Sequence, residues 1–228
     1  HSIERAEQDE YAAASYAKAV AAQRAGKFKE EIVAFEIPQR RGDALLFDTD
    51  EDPRETGLEQ LAALRPAFKQ DGTVTAGNAS NIDDGAAALL LASEEAVREK
   101  GYKPMAKVIA AASAGLEPSH MGLGPARAVP RVMKKLGWSY GEVDLWELNE
   151  AFAAQTLGVL KELPEVPRDR VNVHGGAIAL GHPVGASGAR ILTTLLYALR
   201  DRGGRRGVAS LCIGSGMGIA LGVELTDA

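Results

Sequence analysis

Three side chains could carry chemistry here, two of them in glycine-rich surroundings. They are Asn149 in WELNEAFA, His182 in GGAIALGHPVGASGAR and Cys212 in SLCIGSGMG. Cys212 admits two readings, a small buried side chain or a reagent. The glycines after it, Gly214, Gly216 and Gly218, leave backbone N–H groups free to face a ligand oxygen, as an oxyanion hole requires. His182 reads as structural, as a metal ligand or as an acid–base group. A metal is disfavoured, because the histidines show no ligand spacing and no acidic cluster accompanies them. His174, before Gly175, reads as a strand-end structural residue. Asn149 is either a helix N-cap or an amide that positions a water or a carbonyl oxygen. Glu150 is then decoration of the first helical turn. Ser80 in TAGNASNIDDGA is a turn hydroxyl or a ligand contact. The crowding of glycine around His182 suggests that something comes very close to the backbone there.

Other chemistries fail on pattern. No Walker A motif occurs, GxGxxG is absent, and the spacing of Gly181, Gly185 and Gly188 does not supply it. With a formal net charge of −5 and scattered Lys and Arg, there is no nucleic-acid footprint. No apolar run approaches the ~20 residues that span a bilayer. A single cysteine rules out an internal disulfide and a cysteine-cluster metal site, which favours a reducing, cytoplasmic setting. The expected partners therefore include no nucleic acid, no membrane and no metal. The chain opens HSIER without an initiator Met, as a processed product or one piece of a longer protein would.

The elements that must hold these residues follow from pattern and punctuation. One helix is expected from Ser2, as N-cap, to Gly26, and a strand over Glu30 to Ile37. Pro38 to Pro53 reads as a surface excursion, and Leu58 to Leu64 as a short helix stopped by Pro66. The apolar run Ala86 to Ala92 has no alternation, so it is expected to be buried on both faces, with a charged helix after it. A second composition begins at Tyr102. Strands are expected at Ala106–Leu116, Val143–Asn149 and VNVHG (171–175), and helices at Gly124–Gly137, Glu150–Leu163 and Ala186–Gly203. Two more strands, joined by a glycine bend, fill Arg206 to Leu225. This alternation predicts a layered α/β unit with helices on both faces of a sheet, and ligands at the strand ends in βα turns.

Five stretches in order, TVTAGNASNIDDGAAALLL, MGLGPARAVP, NEAFAAQ, GGAIALGHPVGASGARI and CIGSGMGIALGVE, resemble the thiolases, the acetyl-CoA acetyltransferases and 3-ketoacyl-CoA thiolases. The resemblance runs from about Arg5 to Glu224 and looks like the C-terminal part of such an enzyme. It implies a thiolase-like α/β/α C-terminal half with a mixed sheet, preceded by part of the CoA-binding loop domain. Residues 1–82 would belong to that loop domain, 83–100 to the last strand and helix of the N-terminal half, and 101–228 to the C-terminal domain. The implied reaction is reversible Claisen condensation and thiolysis of 3-ketoacyl-CoA through an acyl-cysteine. Coenzyme A thioesters would be substrates, with no cofactor.

By the same likeness, His182 activates the nucleophile and lines the first oxyanion hole, and Asn149 holds a water there. Cys212 moves the α-proton, and the Gly214 N–H serves the second hole. Leu64, Phe68, Ser80, Met121, Ala151 and Phe152 would line the CoA channel, with Ser80 on the pantetheine. Two departures stand out. Ser215 replaces a glycine often found after the second cysteine. The nucleophilic cysteine is absent, because Cys212 matches the other motif. The expected partners are therefore acyl-CoA or CoA, an N-terminal half carrying that cysteine, and further copies in a homodimer or homotetramer. The alternative is a non-catalytic CoA-binding or assembly module. A ketoacyl synthase is disfavoured, since those enzymes show a histidine where Asn149 stands.

Overall fold

The computed structural model describes residues 1–226. A four-stranded mixed sheet carries its C-terminal half. The strands are β3 (Ala106–Gly115), β4 (Leu145–Leu148), β5 (Arg206–Ile213) and β6 (Met217–Leu225), in the order β3-β6-β5-β4. β4 runs parallel to β5, with Leu148 opposite Ser210, and β6 is antiparallel to both β5 and β3. One face is covered by α4 (Gly124–Leu136) and α5 (Ala153–Glu162), where Val129, Val132, Trp146, Leu148, Val159 and Val208 form the larger core. α7 (Ser187–Arg202) covers the other face with Ile191, Leu195 and Leu199 against Leu145, Ala209 and Val223. A fully buried aliphatic or aromatic side chain contributes about 1.5–3 kcal/mol, so these two clusters dominate the stability of the domain.

Helix boundaries follow local chemistry. α4 has proline in its first turn and ends at Gly137, which takes φ +68°. α7 ends the same way at Gly203, φ +66°. α3 (Glu94–Lys100) is capped by the Ser93 side chain, which accepts from the Ala96 N–H.

The N-terminal third departs from expectation at several points. α1 (Arg5–Arg24) begins after Ser2, with Glu4 as N-cap and no side-chain cap. The strand foreseen over Glu30 to Ile37 is only β1 (Phe35–Ile37), because residues 29–31 close a turn back onto Gly26 and Phe28. The surface excursion contains β2 (Leu45–Phe47), which pairs with β1 as a hairpin. α2 (Leu58–Ala62) forms as expected.

The apolar run Ala86 to Ala92 is neither a strand nor buried: Leu90 and Leu91 are 88% and 75% exposed. An apolar run becomes a two-faced buried strand only when strands flank it, and among the described residues none does. VNVHG also fails as a strand. Only single bridges form, Val171 to Trp146 and Val173 to Gly175, because Asn172 takes φ +46° and Gly175 φ +82°. No helix among the described residues is long and apolar enough to cross a membrane.

Candidate functional site

The parallel pairing of β4 and β5 brings their C-terminal ends side by side. The chain leaving β4 stays attached to its neighbour, as the Asn149 N–H donates to the Ser210 carbonyl at 2.9 Å. Cys212 follows two residues later on β5, opposite Gly218 of β6. Its turn joins the antiparallel strands β5 and β6, the glycine bend expected between them. Asn149 does not cap a helix. α5 starts at Ala153 with Phe152 as N-cap, and Asn149 is fully buried with extended chain after it. Its amide nitrogen instead lies 3.4 Å from His182 Nε2, while its Oδ1 is buried without a partner.

His182 is half-buried. Its N–H donates to the Asn81 carbonyl at 3.0 Å, and its Nδ1 lies 2.6 Å from Ser187 Oγ. Burial first, and the Arg190 charge second, hold its pKa below the usual imidazole value, so the ring is neutral at pH 7. Burial pushes the Cys212 thiol up, so it keeps its proton at pH 7. The two groups are therefore poised in opposite senses, a free base and a held acid. An open cleft of about 880 Å³ reaches the histidine-bearing loop at Pro183 and Ala186, and is bounded by Phe35, Phe47, Asp83 and Arg190.

The bend after Cys212 uses left-handed backbone at Ser215 (φ +68°) and Gly216 (φ +82°). Serine therefore adopts there what glycine would adopt more easily. Gly214 is exposed, and nothing crowds the place where a side chain would begin.

Of the expected channel residues, Ser80 and Phe68 meet the turn at 151–152. The N–H and Oγ of Ser80 both donate to the Ala151 carbonyl, at 3.1 and 3.0 Å. Ala79 bridges to Phe152, and Phe68 meets the Phe152 ring edge-on at 6.2 Å between centroids. Leu64 packs over Gly77. Phe68 is 73% exposed, a large apolar ring left in solvent. Met121, in the 3₁₀ turn Pro118–Leu123, is half-buried, and its neighbour Gly122 abuts Gln155, whose Oε1 accepts from the Ala151 N–H. The TAGNAS loop is pinned to α1 by Asn78, which donates to Asp9 at 2.9 Å and accepts from the Thr75 N–H at 2.8 Å.

Glu150 was missed. It is no helix-start decoration but a buried acceptor for four donors: Tyr11 Oη (2.9 Å), Ser15 Oγ (2.7 Å), Asn172 Nδ2 (2.9 Å) and the Ile178 N–H (3.2 Å). It joins α1, the 172 turn and α6 (Ala177–Leu180) directly beside Asn149. Two of the glycines before His182 answer to this arrangement rather than to a ligand. A side chain at Gly176 would strike the Glu150 carboxylate, and one at Gly175 would strike α1 at Ser15 and Ala19. The sequence signal was that glycine pair, whose crowding is internal. His174 is buried against Phe28, edge to face at 6.0 Å. Among the described residues no group of three or more His, Cys, Asp or Glu could hold a metal ion.

Comparison with known proteins places the fold. The family description "Thiolase, C-terminal domain" matches residues 102–225, and "Thiolase, N-terminal domain" matches residues 1–95. An acetyl-CoA acetyltransferase of Chromobacterium violaceum is 55% identical over 225 residues, covering 98% of this chain and 57% of the relative. The crystal structure of the Bacillus anthracis acetyl-CoA acetyltransferase superposes with a TM-score of 0.95 at 48% identity, covering 98% of this chain and 57% of that one. Human mitochondrial 3-ketoacyl-CoA thiolase in complex with CoA superposes with a TM-score of 0.90 at 43% identity, covering 100% of this chain and 56% of that one. The chain thus spans somewhat more than half the length of the relatives it matches. Fold, motif order and these matches agree: the chain belongs to the thiolase family.

Proposed function

We propose that this chain is the C-terminal portion of an acetyl-CoA C-acyltransferase that catalyses reversible Claisen condensation and thiolysis of 3-ketoacyl-CoA. The nucleophilic cysteine is assigned to an N-terminal half that docks against it. The observation carrying this reading is the meeting of Asn149 with His182 Nε2 at the end of β4, next to the strand that carries Cys212.

A free thiol near pKa ~8.5 is only slightly ionised at pH 7, so the partner's cysteine needs a base. His182 fills that role and its ring also lines the first oxyanion hole. Asn149 supplies an amide whose unpartnered Oδ1 can hold a water there. Cys212 gives a proton to, or takes one from, the carbon next to the thioester. Its raised pKa suits donation in the thiolytic direction. The Gly214 N–H stabilises the second oxyanion, and losing such a donor typically costs ~3 kcal/mol of barrier. Leu64, Phe68, Ser80, Met121, Ala151 and Phe152 line the approach of the CoA thioester, in a loop domain formed by residues 1–82. Residues 83–100 complete the N-terminal half once it is present. A homodimer or homotetramer in the cytoplasm fits the family likeness.

The test supplies the N-terminal half in trans with acetyl-CoA and reads intact masses. An acetyl adduct on the partner polypeptide is expected, and its absence would favour a CoA-binding module without turnover. Cys212→Ser should abolish condensation while sparing that adduct. His182→Asn should slow both half-reactions by at least ~100-fold, as loss of general base catalysis does. Normal acylation in the His182 variant sinks the base assignment.

A further inference from the structure

The imidazole of His182 has two nitrogens, and only one of them faces Asn149. What sets the ring proton lies on the opposite side. Ser187 opens α7, is completely buried, and places its Oγ 2.6 Å from His182 Nδ1 and 3.0 Å from the Pro183 carbonyl oxygen. A carbonyl can only accept, so the hydroxyl hydrogen turns toward Pro183. The serine oxygen then offers a lone pair to the imidazole, and Nδ1 carries the ring proton. The other face agrees. The Asn149 amide nitrogen, a donor, lies 3.4 Å from Nε2, which must then hold the free lone pair. Both neighbours select one tautomer, and the backbone bond from His182 N–H to Asn81 holds the loop in place.

We propose that Ser187 is a positioning residue that locks His182 in its Nδ1–H tautomer, so that Nε2 is the basic nitrogen presented to the site. This deepens the reading of His182 as the base. The proton taken from a thiol goes to Nε2, and the imidazolium so formed keeps donating from Nδ1 to Ser187 Oγ throughout. Without this bond a neutral imidazole reverts to its ordinary preference for the proton on Nε2, which would leave no lone pair facing Asn149.

The test is ¹⁵N NMR of the 228-residue chain labelled at histidine, with His182→Asn identifying the His182 signals among the four histidines. At pH 7.5 the wild-type spectrum is expected to show the ring proton of His182 on Nδ1 and the unprotonated shift on Nε2. In Ser187→Ala the protonated signal should move to Nε2. A wild-type ring carrying its proton on Nε2 overturns the proposal, and this measurement needs no variant to fold. A Ser187→Ala ring that keeps the proton on Nδ1 overturns it too. Turnover is not read, so failure of the acyltransferase reading and failure of the tautomer lock are separate results.

Discussion

A carboxylate with four donors and, among the described residues, no cation at hydrogen-bond distance is an unusual thing to bury, and Glu150 shows why it is tolerated. Each donor offsets part of the desolvation that an isolated charge would suffer. Burial first, and the neighbouring Glu150 second, push the Tyr11 hydroxyl pKa up. Glu150→Gln keeps the shape but turns an NH₂ toward groups that themselves donate. The expected cost is about 2–3 kcal/mol, since hydrogen bonds to charged groups are worth ~1.5–3 kcal/mol each. That corresponds to a fall in Tm of about 5–10 °C for a chain of this size, read by calorimetry. An unchanged Tm would mean that the four bonds contribute nothing net. Asn149 was legible from its motif. Its neighbour was not, because the partners of Glu150 lie up to 139 residues away in sequence.

Among the elements, those whose stabilising contacts are local or periodic were readable. α4, α7 and the β5–β6 pair were expected close to where they stand. Gly137 and Gly203 stop their helices by a backbone conformation that glycine adopts readily. The segments 86–92 and 171–175 were misread for one reason. A strand is made by its neighbours, and an apolar run says nothing of which neighbours are present. The close approach of α4 to β6 belongs to this scale as well. Gly124 and Gly218 pack backbone to backbone, and a side chain on either would collide with the other. Gly218→Ala should therefore destabilise the chain by about 1–3 kcal/mol, as overpacking does, and shift the urea midpoint downward with an unchanged slope. Since Gly218 pairs with Cys212 across β5 and β6, the same change should also alter the reactivity of the Cys212 thiol toward a maleimide. A variant as stable as wild type would show that the two backbones can separate freely.

At the scale of the molecule the titration of buried acids sets the pH response. Glu147, almost wholly buried on β4, has its pKa raised by burial from 4.5 to about 8, with Arg190 3.9 Å away opposing the shift. Glu31 is raised by burial to about 7, with Thr194 and Arg190 opposing. Between about pH 4.5 and pH 8 the unfolded chain gives up protons that the folded chain keeps. Stability conferred below that window is therefore lost as pH rises through it. Thermal unfolding should show a Tm that falls from pH 5 to pH 8.5. Glu147→Gln should flatten that slope and raise Tm more at pH 8.5 than at pH 5. A Tm that rises over the same range would contradict the burial of these carboxyls in neutral form. The exposed apolar side chains Leu90 and Leu91 lie on the segment proposed above to complete the N-terminal half. Adding that half in trans should protect their backbone amides from hydrogen exchange.

The sequence by itself determined the family, the order of the motifs and the layered α/β class, and it singled out Asn149, His182 and Cys212 as candidates, because these depend on residue type and short spacing. Tertiary structure alone decided that Glu150 is a buried hub, that Gly175 and Gly176 make room for α1 and a carboxylate, and that Ser187 meets the histidine ring. The physical reason is that hydrogen bonds and steric clearances between distant segments leave no periodicity in the chain. They exist only once β4, β5, α1 and α7 have been brought together.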